Sequence, residues 1–168
     1  MVVSQLPLTA LECFEDHPLT ISARLQSFYV FVQPHVPWRG SVIYGIPRGV
    51  NHPNSDSFTE EILEAWHTGQ EGEHPDRPSF LAGDFNRDPT KSPTIQKILT
   101  KGWVDVAEFF AKYKGVELAN TSRNVTRIDR IYIHPALIQF IDQWQTQEFY
   151  QDHAWCRLTF VTPNGCHL

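Results

Sequence analysis

Apolar residues fall along this chain in two rhythms, one of period two and one near 3.6, and the switches between them mark out its elements. Residues 24–33 (Arg-Leu-Gln-Ser-Phe-Tyr-Val-Phe-Val-Gln) are rich in β-branched and aromatic types and predict a strand. A turn with breakers at Pro34, Pro37 and Gly40 follows. Residues 41–46 (Ser-Val-Ile-Tyr-Gly-Ile) then predict a second strand, making a hairpin. After a polar loop over 49–56, Phe58, Ile62, Leu63 and Trp66 recur at helical spacing. Ser57 and Glu60 have the spacing of a capping box, so a helix is expected over 58–68. An acidic loop spans 70–78, and the apolar run at 78–82 predicts a buried strand.

Further along, Ser92, Pro93 and Gly102 bracket a helix whose apolar face is Ile95, Ile98 and Leu99. A helical stretch over 105–113 carries Val106, Phe109 and Phe110. Residues 128–133 predict a strand, Pro135 opens a short helix through Ile141, and strands are expected at 148–150 and 155–161. Strands and helices alternate with no repeat, low-complexity tract or linker, which predicts one α/β domain over residues 1–168.

At 168 residues, with 41% hydrophobic and 20% charged side chains, the chain can bury a core. It has no run of 18 apolar residues, so no membrane partner is expected. The N-terminus has neither a basic start nor an apolar stretch of signal-peptide type. Cys13, Cys156 and Cys166 show no zinc spacing and read as free thiols of a reducing compartment, which implies an intracellular location. A net charge of −5 argues against strong non-specific DNA binding but suits a site built from acids around a cation. Locally the balance reverses, with Arg123, Arg127 and Arg130 around Asp129. That stretch could meet a phosphate backbone or be a solvated loop.

Candidate chemistry concentrates in Leu81-Ala82-Gly83-Asp84-Phe85-Asn86. An acid and an amide two residues apart on an extended chain point the same way, and ligand sites of α/β sheets collect at strand ends. Asp-x-Asn is equally the pattern of a simple Asx turn. Two more acids adjoin β-like runs: Asp129 in Arg-Ile-Asp, and Asp152 before His153. Asp152-His153 alone also fits an exposed turn, and Asp129 alone fits a surface pair with Arg127 or Arg130.

These three segments, in this order, resemble the endonuclease/exonuclease/phosphatase superfamily, the DNase I-like metal-dependent phosphodiesterases. The resemblance spans roughly residues 1–162. It implies a four-layer α/β/β/α sandwich and a Mg²⁺- or Mn²⁺-dependent hydrolase acting on nucleic acid, DNA foremost. It also implies roles: Asp84 for the attacking water or leaving oxygen, and Asn86 as a donor to that water and the phosphate. Asp152 would bind the metal, His153 a phosphate oxygen, and Asp129 the other nitrogen of His153. Ile43-Tyr44-Gly45-Ile46-Pro47 is similar to a strand end of the exonuclease III and retrotransposon-endonuclease branches, where the Tyr touches phosphate. Arg48, four residues on, is expected to approach the same group. Trp38, Trp103 and Trp144 offer either base stacking or packing.

The chain also departs from that pattern. The family's first strands, with a metal-supporting Asn and a metal-binding Glu, have no clear counterpart, and Glu12 and Glu15 do not match by motif. The expectation is a fold lacking its N-terminal strands, weak metal binding and slow cleavage. A pseudo-nuclease remnant of a mobile element that binds without turnover, and a phosphomonoesterase of small or lipid phosphates, are the competing expectations.

Overall fold

The computed structural model describes residues 8–11, 24–32, 37–48, 53–73, 75–123, 125–150 and 153–161, with the backbone alone at 8–11, 147–150 and 155. The larger sheet has six strands: β1 (Leu8–Leu11), β2 (Leu25–Val30), β3 (Trp38–Tyr44), β4 (Ser79–Asp84), β5 (Val104–Asp105) and β6 (Asp129–Ile133). Their spatial order is β1-β2-β3-β4-β6-β5. All neighbours are antiparallel except β3 and β4, which run parallel. A parallel pair needs a crossover, here α1 (Ser55–Glu73). Two further helices, α2 (Pro93–Thr100) and α3 (Val106–Lys114), separate β4 from β6 together with β5. β7 (Ile141–Tyr150) and β8 (His153–Phe160) form a separate two-stranded sheet.

Alternation along the strands divides the core in two. Leu25, Ile43, Leu81 and Tyr132 face Ile62, Leu63 and Trp66 of α1 and Ile95 and Ile98 of α2. Phe28, Val30, Trp38 and Ile133 face the other way, meeting Leu137 and Phe160 with Val106 and Phe110 of α3. Helices, large sheet and small sheet thus make three of the four expected layers among the described residues, with α3 at the margin of the inter-sheet core. Trp38 and Trp103 are buried, and Trp144 packs against the inter-sheet cluster, so packing is the role of all three.

Several boundaries differ from the sequence pattern for local reasons. β3 begins at Trp38, three residues early, because Gly40 is a strand residue. A side chain there would strike the rings of Phe28 and Phe80. α1 runs five residues past the expected end. The Gly69 carbonyl accepts from Arg39 Nη1 at 3.1 Å, and Gln70 Nε2 donates to Ser79 Oγ at 3.0 Å, so tertiary anchors hold the last turn. The helix also starts earlier, with the Phe58 N–H on the Asn54 carbonyl at 3.1 Å. Ser57 therefore lies inside the first turn, and no capping box forms. Glu60 Oε1 instead accepts from the Thr94 N–H at 2.9 Å, joining α1 to α2. Pro135 opens a 3₁₀ segment that ends at Phe140, and the expected strand at 148–150 is the end of the ten-residue β7. Its pairing with β8 shifts register twice, which breaks the alternation that would have announced it.

Arg127 and Arg130, expected to face a phosphate backbone or Asp129, turn instead to α3. Arg130 Nη1 lies 2.6 Å from Asp105 Oδ2 and 3.0 Å from Glu108 Oε1. Arg127 adds contacts at 2.9 and 2.7 Å to Asp105 Oδ1 and Glu108 Oε1. Burial works against the Arg130 charge, yet Asp105 outweighs it and raises the guanidinium above its usual value.

Two stability outcomes follow from these contacts. Ser92 Oγ caps α2 by accepting the Ile95 N–H at 3.1 Å. Ser92→Ala should cost about 1 kcal/mol, read as a midpoint shift in urea, while Ser57→Ala should leave the midpoint unchanged. Arg130→Ala leaves the buried Asp105 carboxylate to Arg127 and the Glu108 N–H and should cost about 1.5–3 kcal/mol. If Arg130→Ala unfolds at the same denaturant concentration as the parent, the network does not hold α3 to the sheet.

Candidate active site

The register of the large sheet builds the site. Tyr44 pairs with Asp84 across β3 and β4, and Asp84 pairs with Asp129 across β4 and β6. Residues in register share a face, so these three side chains form one row at the end of three strands, on the side of the smaller sheet. The strand ends can approach because Gly83 and Gly45 carry no side chain. A Cβ at Gly83, whose φ is +146°, would overlap the Ile43 carbonyl, and one at Gly45 would overlap that of Phe85. Two backbone bonds complete the junction: Gly45 N–H to the Asp84 carbonyl at 2.7 Å, and Phe85 N–H to the Ile128 carbonyl at 3.0 Å.

Asn86 does not continue the strand. Its φ is +51°, a left-handed conformation that Asn tolerates. Its N–H folds back to Asp84 Oδ1 at 2.8 Å, and Nδ2 donates to the Gly45 carbonyl at 3.0 Å. The alignment expected from extended alternation is thus replaced by an Asx-type turn that keeps Asn86 beside Asp84.

The small sheet supplies the remaining group. The start of β8 is tied to the loop before β6 by the Ala154 N–H on the Thr121 carbonyl at 2.8 Å. Thr121 Oγ1, itself buried, accepts the Asp129 N–H at 3.0 Å. This clamp brings His153 onto the row. Nδ1 lies 3.0 Å from Asp129 Oδ2, and Nε2 lies 3.9 Å from Asp84 Oδ2. The side chains of Asp84 and Asp129 are 14% and 19% exposed, whereas that of His153 is 42% exposed. The two acids are thus mostly covered, and the imidazole is the exposed member of the group.

Burial pushes the Asp84 carboxyl above the usual range, and the neighbouring charge of Asp129 adds to that, opposed by the Asn86 N–H and His153. Cys156, the described cysteine, is a neutral thiol, pushed up to about 12 by burial with a contribution from Asp129. Ligand atoms of Asp84, Asp129 and His153 lie within 4.8 Å of one another, a spacing one cation can bridge.

Four predicted residues, Asp84, Asn86, Asp129 and His153, therefore meet, and Tyr44 joins them with half its surface exposed. Asp152, Glu12 and Glu15 lie outside the described residues. Arg48 points to α1, pairing with Asp56 at 2.7 Å. The sequence reading missed Thr121 and Gly45. Gly45 belongs to the Tyr-Gly strand end that was singled out, but no local signal marks Thr121.

No protein-family model and no curated protein sequence matches the chain. Solved structures do. A 3′-5′ exonuclease from Neisseria meningitidis superimposes with TM-score 0.66 at 17% identity, covering 92% of this chain and 71% of that one. The endonuclease domain of a telomere-specific non-LTR retrotransposon gives 0.63 at 15%, covering 94% and 68%. An AP endonuclease from Archaeoglobus fulgidus gives 0.57 at 18%, covering 82% and 65%. At such identities the likeness is one of fold, and the chain has a DNase I-like fold.

Proposed function

We propose that the chain is a metal-dependent phosphodiester hydrolase of the endonuclease type, with DNA as its substrate. The observation that carries this reading is the meeting of Asp84, Asn86 and Asp129 with His153, a group from the opposite sheet. The nuclease folds it superimposes on add support, among them the Neisseria enzyme solved with a DNA hairpin product.

The acids fit a hard divalent ion. Two carboxylates stand side by side, and one is held above its usual range by burial and by the other, a strain that positive charge relieves. Asp84 and Asp129 are the described groups that suit Mg²⁺ or Mn²⁺, and Asp152 would add a third. Bound there, the ion supplies charge beside the phosphoryl oxygens. Among the described residues no glutamate joins the cluster. Affinity follows ligand charge and number, so binding is weak and cleavage slow.

The protein's own groups divide the remaining work. Asn86 occupies Asp84 Oδ1, leaving Oδ2 to take a proton from the attacking water, and a raised proton affinity suits that task. The Gly45 carbonyl uses one N–H of the Asn86 amide and leaves the other to orient the water. Asp129 orients the His153 ring by accepting from Nδ1–H, which leaves Nε2, when it carries a proton, to donate to a phosphoryl oxygen. Tyr44, at the end of the row, offers its hydroxyl to the same phosphate.

The test is nicking of supercoiled plasmid with Mg²⁺ or Mn²⁺. Slow nicking is expected, stopped by a chelator and lowered about 10²-fold or more in Asp84→Ala and in His153→Ala. Nicking that survives both substitutions would sink the proposal.

Stability supplies an independent check. The folded protein holds the Asp84 proton more tightly than the unfolded chain does. Its ionised form therefore costs stability as pH rises through the usual carboxylate value and up to the raised one. Asp84→Asn should unfold at a higher temperature than the parent at pH 7 while losing activity. That advantage should vanish below the usual carboxylate range, as followed by calorimetry across pH. An equal or lower midpoint for Asp84→Asn at pH 7 would show that the acid carries no such cost.

A further inference from the structure

The row of side chains extends beyond Tyr44. Leu25 pairs with Ile43 in the β2–β3 ladder, which sets Arg24 opposite Tyr44. The Tyr44 N–H donates to the Arg24 carbonyl at 2.8 Å. The Arg24 guanidinium lies 5.1 Å from the centre of the Tyr44 ring, within cation–π range. Its Nη1 donates to the Gly45 carbonyl at 3.1 Å and approaches that of Tyr44 at 3.4 Å. The Gly45 oxygen is the one that also takes Asn86 Nδ2 at 3.0 Å.

We propose that Arg24 is a positioning residue, which holds Tyr44 through its ring and Asn86 through the shared Gly45 carbonyl. For its effect on catalysis this rests on the nuclease reading above. A carbonyl has two lone pairs, and Arg24 and Asn86 fill both. With Arg24 gone, the Gly45 peptide loses the anchor that fixes its direction, and the Asn86 amide can pivot with it. Tyr44 is half exposed, so little packing sets its ring, and the stacked guanidinium does so instead. A planar guanidinium can stack on a ring while donating in its own plane, which an ammonium cannot do as well.

A residue that merely closes the β2–β3 ladder would also matter for folding, so the test must separate positioning from bracing. Plasmid nicking is measured for Arg24→Ala in three backgrounds: the parent, Asn86→Ala and Tyr44→Ala. Small displacements of reacting groups are costly, so about a tenfold loss is expected in the parent. In the two other backgrounds the loss should shrink, because the group that Arg24 positions is already gone. The same tenfold loss in all three overturns the proposal. Arg24→Gln, which keeps a donor, replaces Arg24→Ala should the latter not fold. If the parent itself does not nick DNA, the nuclease reading fails separately. Arg24 is then judged by NMR on the side-chain amide signals of Asn86, identified as the pair lost in Asn86→Ala. Displacement of that pair in Arg24→Ala supports the proposal, and an unmoved pair overturns it.

Discussion

Two like charges stand opposite each other at the end of the large sheet, and much of the structure around them works against their repulsion. Asp84 and Asp129 are direct cross-strand partners, an arrangement that destabilises a sheet when both are ionised. Partial burial adds to the cost. The fold meets it with local donors: the Asn86 N–H on Asp84, and the His153 ring between the two acids. Each donor comes from a segment shaped for the purpose. Asn86 adopts a left-handed backbone to bend its N–H back. His153 is delivered by β8, whose start hangs on Thr121, while Thr121 also fixes the first residue of β6. The acids thus join the two sheets at one point.

Such a pair is a poor way to stabilise a domain. An apolar pair at the same register would cost less, since residues on this face otherwise meet the inter-sheet core. Strained or repelling groups kept in place by their surroundings point to a site, as local rules of folding are broken where chemistry needs them to be. The inference is sharpened by contrast with Asp105 and Arg130. That pair is buried too, but its opposite charges satisfy each other and bind α3 to the sheet.

Much of this was legible in the sequence because period and capping are local. Ser92, Pro93 and Gly102 bracket α2 as their residue types dictate, and the β2–β3 hairpin follows its alternation. The errors arose where a distant contact decided the outcome. Glu60 had the spacing of a capping box, yet Thr94, 34 positions away, claims its carboxylate. Gly40 looked like a breaker, yet two rings require a glycine inside the strand. Motif and order picked out Asp84, Asn86, Asp129 and His153 and anticipated the Asp129–His153 contact, but not the turn at Asn86 or the Thr121 clamp that build it. Nothing near Thr121 foretells that it links β6 to β8, and nothing near Arg127 and Arg130 foretells that α3 would take them.

The fate of those arginines bears on how a polyanion could approach. A net charge of −5 works against long-range attraction of nucleic acid. Arg127 and Arg130, nearest in sequence to the acids, have their charge met by Asp105 and Glu108, and Arg48 has its charge met by Asp56. On the hydrolase reading proposed above, attraction for a phosphate then arises close to the site itself, from the exposed imidazole, from any cation drawn to the paired acids, and from Arg87 and Lys91, which line the cleft beside Asn86. Because Asp84 and Asp129 repel each other, each is a better ligand for positive charge than it would be alone. On the proposed reading, the unfavourable pair thereby supplies affinity for the ion that a phosphoryl group needs beside it. The feature that weakens the fold is the one that equips the site.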